Sequence, residues 1–98
     1  RFTGPACPDR HLLGAQAMGA SVEELADQAT GDALATRIED MMRATGIPNG
    51  LNGVGYSMDD LDNLVSKAAP QRRLLDNAPL AIAETELRQI FTDAMHYW

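Results

Sequence analysis

Glycine and proline divide this 98-residue chain into short segments, and within each segment the apolar residues recur every three or four positions rather than every two. That period builds helices and gives no convincing strand. Pro8 can occupy the first turn of a helix whose apolar positions Leu12, Leu13, Ala15, Ala17 and Met18 lead to Gly19, a residue suited to a left-handed C-terminal cap. The spacing predicts a helix over about 8–18. Ser21 followed by Glu24 is a capping-box pattern, which predicts a helix starting at Val22. Thr30-Gly31-Asp32 offers an interruption, after which Leu34, Ile38, Met41 and Met42 build one apolar stripe that Gly46 ends.

The segment from Gly46 to Tyr56 holds four of the eight glycines together with Pro48, and it reads as an irregular connection. Ile47, Leu51 and Val54 are expected to anchor it on the core. Ser57 with Asp60 repeats the capping logic, and Asp59, Asp60 and Asp62 suit the positive end of a helix dipole. Leu61, Leu64, Val65 and Ala68 then mark the buried face of a helix ending before Pro70. A short helix is expected over 71–76, with Asn77-Ala78-Pro79 as its break. The last helix starts near Glu84 and carries Leu87, Ile90, Phe91, Ala94, Met95 and Trp98 on one face. The fold class is therefore all-α, with four to five helices.

At 45% hydrophobic content, 98 residues suffice for one compact domain or one lobe of a larger one, and two full domains are excluded. The net charge of -6 repels phosphate backbones and anionic lipid heads, so neither nucleic acid nor a membrane surface is an expected partner. No apolar run reaches the ~20 residues of a bilayer span, and no leader pattern opens the chain, so a soluble protein is expected. Cys7 is the single cysteine, which leaves no internal disulfide to make and suggests a cytoplasmic setting. Arg1 rather than Met comes first, and the opening residues read as the tail of an element cut short, as in a piece of a longer polypeptide.

Few residues carry chemistry. Cys7 and His11 are four apart at a helix start, which is half of a zinc site, but zinc needs three or four protein ligands and His96 is the other strong nitrogen donor. Nothing positive beside Cys7 marks it as an activated nucleophile. Gly50, Gly53 and Gly55 resemble part of a phosphate cradle, yet Met58 stands where a dinucleotide fingerprint needs glycine and no Gly-Lys-Ser/Thr follows. Turn geometry accounts for them better. The Asp59, Asp60, Asp62 cluster lacks the ligand pattern of a calcium loop. Arg72 and Arg73 have two readings, an anion-holding pair or a solvated face with local ion pairs, and the second is the commoner. Met41, Met42 and Met95 read as packing.

The ordered set Pro8-Asp9-Arg10-His11-Leu12, Gly19-Ala20, Gly46-Ile47-Pro48, Gly53-Val54-Gly55-Tyr56-Ser57, Asp60-Leu61, Pro70-Gln71-Arg72, Ala78-Pro79 and Tyr97-Trp98 resembles the carboxyl end of the iron-containing alcohol dehydrogenase family. The resemblance spans essentially the whole chain. Within the family it is most like the hydroxyacid-oxoacid transhydrogenase branch, where the Gly-Tyr-Ser turn, the Pro-Gln-Arg stretch and the Ala-Pro break follow in this order. Many members carry a cysteine and an Asn-Pro-Arg near 77–80, whereas here Leu80 takes the arginine position and Leu74 or Leu75 falls near the cysteine.

The resemblance implies a two-domain enzyme: a nucleotide-binding α/β domain, and a dehydroquinate synthase-like helical domain that holds a catalytic metal beside the cleft. Residues 1–98 would be the carboxyl-terminal helical part, forming a wall of that cleft and inactive alone. Iron(II) or zinc and NAD(P) are implied for the parent enzyme. The family's metal ligands, one aspartate and three histidines, lie upstream of Arg1, so no catalytic, cofactor-binding or metal residue is assigned here, His11 and His96 included. The partners implied are the rest of the parent enzyme, with self-association through uncovered apolar stripes. The competing reading is a self-standing acidic helical interaction module.

Overall fold

A computed structural model describes residues 1–22 and 26–98. Five α-helices are present and no strand occurs among the described residues: α1 (Pro8–Ala17), α2 (Asp27–Thr45), α3 (Leu61–Ala68), α4 (Arg72–Leu75) and α5 (Glu84–Asp93). The all-α expectation holds. Among the described residues no helix is long and apolar enough to cross a membrane. The chain divides into two compact units, Arg1–Thr45 and Gly46–Trp98.

In the first unit α1 packs against α2. Pro8 opens α1, where its missing N–H is no loss. At the other end Gly19 adopts φ +78°, with the Gly19 N–H bonded to the Gln16 carbonyl at 2.9 Å and the Ala20 N–H to the Ala15 carbonyl at 2.9 Å. These two bonds make the Schellman closure that Gly19 predicted. Arg37 adds a third, its Nε donating to the Met18 carbonyl at 3.1 Å. Ala15 is fully buried where the two helices meet.

Two expectations for α2 need correction. Ser21 and Val22 are not helical, so no helix begins at Val22; Glu24, the other half of the expected capping box, lies outside the described residues. Nor does Thr30-Gly31-Asp32 interrupt the helix, which runs through it unbroken. The physical reason is a close approach of backbones. A Cβ on Gly31 would meet the Gly4 Cα at 3.0 Å, and one on Gly4 would meet the Gly31 Cα at 2.7 Å. Gly31 is therefore a packing glycine, and its lack of side chain lets the 1–6 segment lie on α2. Asp32 joins that contact by accepting from Arg1 Nε at 3.0 Å, while Arg1 also pairs with the buried Glu39. The bond to Glu39 is the main reason the Arg1 guanidinium is held above its ordinary pKa.

The stripe on α2 is also less buried than its pattern predicts. Leu34 contacts α1 at Gly14, but Ile38 is 43% and Met41 54% exposed.

In the second unit α3 packs on α5, and Leu61, Val65, Leu87 and Met95 form the buried core. Leu51, Leu64, Ala68, Leu75, Ile82 and Phe91 close around it. Ser57 caps as expected: its hydroxyl accepts the Asp59 N–H at 3.3 Å, and the Asp60 carboxylate accepts the Ser57 N–H at 2.9 Å. The chain then passes through a 3₁₀ turn, Met58–Asp60, into α3. Glu86 likewise accepts the Ala83 N–H at 3.0 Å at the start of α5. Arg88 bridges α5 to Asp62 of α3 at 2.6 Å.

The 46–56 connection is anchored differently from the expectation. Leu51 packs on the core, but Ile47 and Val54 are exposed. Main-chain bonds replace them: the Leu51 N–H reaches the Ala94 carbonyl at 2.9 Å and the Asn52 N–H the Met95 carbonyl at 3.0 Å.

Candidate functional site

Three polar clusters contain most of the residues for which the sequence suggested chemistry. At the start of α1, Cys7 and His11 do meet, with Sγ and Nδ1 3.4 Å apart. The hydrogen bonds around them decide what the pair can do. His11 Nδ1 lies 2.9 Å from the Cys7 carbonyl, which only accepts, so Nδ1 carries a proton. In the neutral ring Nε2 then accepts from the Thr3 hydroxyl at 3.1 Å. Cys7 Sγ is directed to the Thr3 carbonyl at 3.4 Å. A protonated Nδ1 is no base for the thiol, and the cluster ties the 1–6 segment to α1.

The same residues fail as a metal site. Among the described residues no group of three or more His, Cys, Asp or Glu side chains converges as a ligand set. Two donors fall short of what zinc or iron(II) requires, so Cys7 and His11 do not by themselves make the site of such a metal. Adding zinc to the chain is accordingly expected to give no stoichiometric binding by calorimetry. Binding that vanishes in His11→Ala contradicts this reading.

The second cluster surrounds α4. Arg72 Nη1 donates to the Ile82 carbonyl at 3.0 Å and Nη2 pairs with Asp76, so the guanidinium fastens the 77–82 loop to its own helix. This is the local ion-pair reading of Arg72. Arg73 is exposed. Beneath the strap lies an open cleft of about 290 Å³, lined by Arg72, Asp76, Leu75, Pro79, Leu80 and Ile82. The cleft is mixed in character, with aliphatic side chains beside the charged Arg72 and Asp76, and Leu80 is part of its wall. Both partners of the Arg72–Asp76 pair are more than half exposed, so Arg72→Ala is expected to lower stability by less than about 1 kcal/mol. The change is instead expected in hydrogen exchange of the 77–83 amides, several-fold faster in the variant while α3 and α5 are unaffected.

The third cluster was not legible in the sequence. Asn49 Oδ1 accepts the Tyr97 N–H at 2.7 Å and the Trp98 N–H at 3.3 Å, and its Nδ2 donates to the Trp98 carbonyl. Next to it Gly50 adopts φ +62° and lies against the Ala94–His96 main chain. Two of the glycines that resemble a phosphate cradle are filled from within: a Cβ on Gly50 would come within 2.5 Å of the Met95 carbonyl oxygen, and one on Gly53 within 2.9 Å of Pro48 Cβ, while Gly55 has nothing within 4 Å. His96 follows Met95 in this clamped segment.

An all-helical assembly with no converging metal-ligand set among the described residues is the class of protein these features define. The chain is 36% identical over 95 residues to a probable mitochondrial hydroxyacid-oxoacid transhydrogenase of Dictyostelium discoideum, a match covering 97% of this chain and 17% of that protein. It is 34% identical over 94 residues to the mitochondrial hydroxyacid-oxoacid transhydrogenase of Xenopus laevis, covering 96% of this chain and 20% of the relative. The Caenorhabditis briggsae enzyme is 41% identical over 69 residues, 69% of this chain and 15% of its own length. The chain is thus homologous to a segment of the hydroxyacid-oxoacid transhydrogenases, members of the iron-containing alcohol dehydrogenase family. It spans a fifth or less of the length of these relatives and is part of a larger protein. No family model matches the chain, and no solved structure does.

These relatives also correct the expected cytoplasmic setting, because all three are named as mitochondrial. The expectation rested on cysteine content. One cysteine can form no internal disulfide in any compartment, so Cys7 carried no information on location.

Proposed function

We propose that residues 1–98 are the carboxyl-terminal helical part of a mitochondrial hydroxyacid-oxoacid transhydrogenase, an oxidoreductase that passes hydrogen between a hydroxyacid and an oxoacid. The observation that carries this is 36% identity across 95 of the 98 residues with a probable transhydrogenase of that kind. In this reading the chain forms a wall of the active-site cleft and supplies no catalytic group. The iron(II) or zinc and the NAD(P) that the family resemblance implies belong to the rest of the polypeptide, since the described donors of this chain make no metal site. The cleft under the Arg72 strap combines aliphatic side chains with the Arg72–Asp76 ion pair that holds the 77–82 loop.

The test uses the longer polypeptide that contains this chain. A 2-hydroxyacid deuterated at C2 is supplied with a different 2-oxoacid, and the products are examined by mass spectrometry. Deuterium is expected at C2 of the new hydroxyacid. A folded protein that transfers none, across a panel of short-chain acids and with iron(II) or zinc and nicotinamide supplied, contradicts the proposal and favours the interaction module.

A further inference from the structure

The 46–56 connection contains two Asn-Gly pairs, Asn49-Gly50 and Asn52-Gly53. An asparagine followed by glycine readily loses its side-chain amide, because a residue without a Cβ lets its main-chain nitrogen approach the asparagine Cγ. Local sequence gives the two pairs the same chemistry, but the fold guards them differently. Asn49 is half-buried and held at both ends of its amide: Oδ1 accepts the Tyr97 and Trp98 N–H groups at 2.7 and 3.3 Å, and Nδ2 donates to the Trp98 carbonyl. Cyclisation needs that amide to turn toward its own main chain, so all three long-range bonds must break first. Asn52 is exposed, and among the described residues its side chain has no hydrogen-bond partner. Its restraint is the 3₁₀ turn Asn52–Val54, where the Gly53 N–H reaches the Asn49 carbonyl at 3.1 Å. A short 3₁₀ turn at the surface has poor hydrogen-bond geometry and opens locally.

We propose that Asn52 is a site of spontaneous deamidation in the folded protein, with water as the co-reactant, and that Asn49 is kept intact by its clamp on Tyr97 and Trp98. The Gly53 nitrogen loses its proton to solvent and bonds to Asn52 Cγ. The Cγ–Nδ2 bond breaks, and the amide nitrogen takes up a solvent proton and leaves as ammonia. Water then opens the resulting succinimide at either carbonyl, giving an aspartyl or an isoaspartyl residue. One water is consumed and one ammonia released, with no oxidation or reduction. Each conversion adds a negative charge to a chain whose net charge is already -6.

The longer polypeptide that contains this chain is incubated in mildly alkaline water enriched in oxygen-18, both folded and unfolded in guanidinium. Tandem mass spectrometry follows the two asparagines separately, and the heavy oxygen marks residues converted during the incubation. The ratio of Asn52 to Asn49 conversion is expected to be at least about tenfold higher in the folded protein than in guanidinium, because only Asn49 waits on the larger opening. A ratio that does not rise on folding overturns the proposal. So does a folded protein in which neither asparagine converts over many half-lives of the unfolded reaction. The proposal does not rest on the enzymatic assignment, and the experiment decides it whether or not the same preparation transfers deuterium.

Discussion

Gly50→Ala is expected to lower the stability of the second unit by about 3–5 kcal/mol, the sum of left-handed strain and a steric conflict that the backbone must relieve. At φ +62° a non-glycine residue costs about 1–2 kcal/mol before any contact is counted. The added Cβ would then meet the Met95 and Ala94 carbonyl oxygens at 2.5 and 2.6 Å and the His96 Cα at 2.7 Å. All three are main-chain atoms. Relief requires the loop to withdraw, which breaks the Leu51 and Asn52 N–H bonds to those same carbonyls at about 1 kcal/mol each. Gly55→Ala is the control, since Gly55 has φ +95° but nothing within 4 Å of its Cβ position. It should lose only the strain. Native-state hydrogen exchange of the α3 and α5 amides in the longer polypeptide reads both variants on one scale.

Leu87→Ala is expected to cost about 3–4 kcal/mol by the same measurement. Leu87 is 5% exposed and packs in the small cluster with Leu61, Val65 and Met95. A core with so few buried members has little to refill a cavity. Leu13→Ala, at a side chain 68% exposed on α1, should change the stability of the isolated chain by no more than about 0.5 kcal/mol. A Leu87→Ala loss below about 1 kcal/mol in the longer polypeptide would mean that α3 and α5 are not held by this cluster.

The helices were legible because their signals are local. Pro8 and Gly19 bracket α1, Ser57 and Asp60 close a capping box, and Leu61, Val65 and Leu87 fall on buried faces, each within a few residues of the pattern that predicts it. What was misread depended on partners far away in sequence. Gly31 reads as a break until Gly4, 27 positions earlier, is placed against it. The role of Asn49 depends on Tyr97 and Trp98, and no turn rule reaches that far. The α2 stripe shows that an apolar period marks what a helix is built to bury, not what this chain alone supplies to cover it. The candidate site followed the same division. Cys7 and His11 were placed together by helical spacing, but their lack of general-base geometry rests on which carbonyls accept from them.

A helical part whose apolar faces are covered by the rest of a longer polypeptide should be fragile alone. Among the described residues no large side chain is fully buried, while Leu13, Met41 and Leu74 are all more than half exposed. Leaving even ~400 Å² of apolar surface in water forfeits on the order of 10 kcal/mol, comparable with the net stability of a whole domain. Analytical ultracentrifugation of the isolated chain over a range of concentrations, combined with urea melts, tests this most directly. The account predicts a marginally stable chain with a broad, early transition, or one that self-associates as concentration rises. A concentration-independent monomer that unfolds cooperatively with several kcal/mol of stability would contradict it and favour the self-standing interaction module.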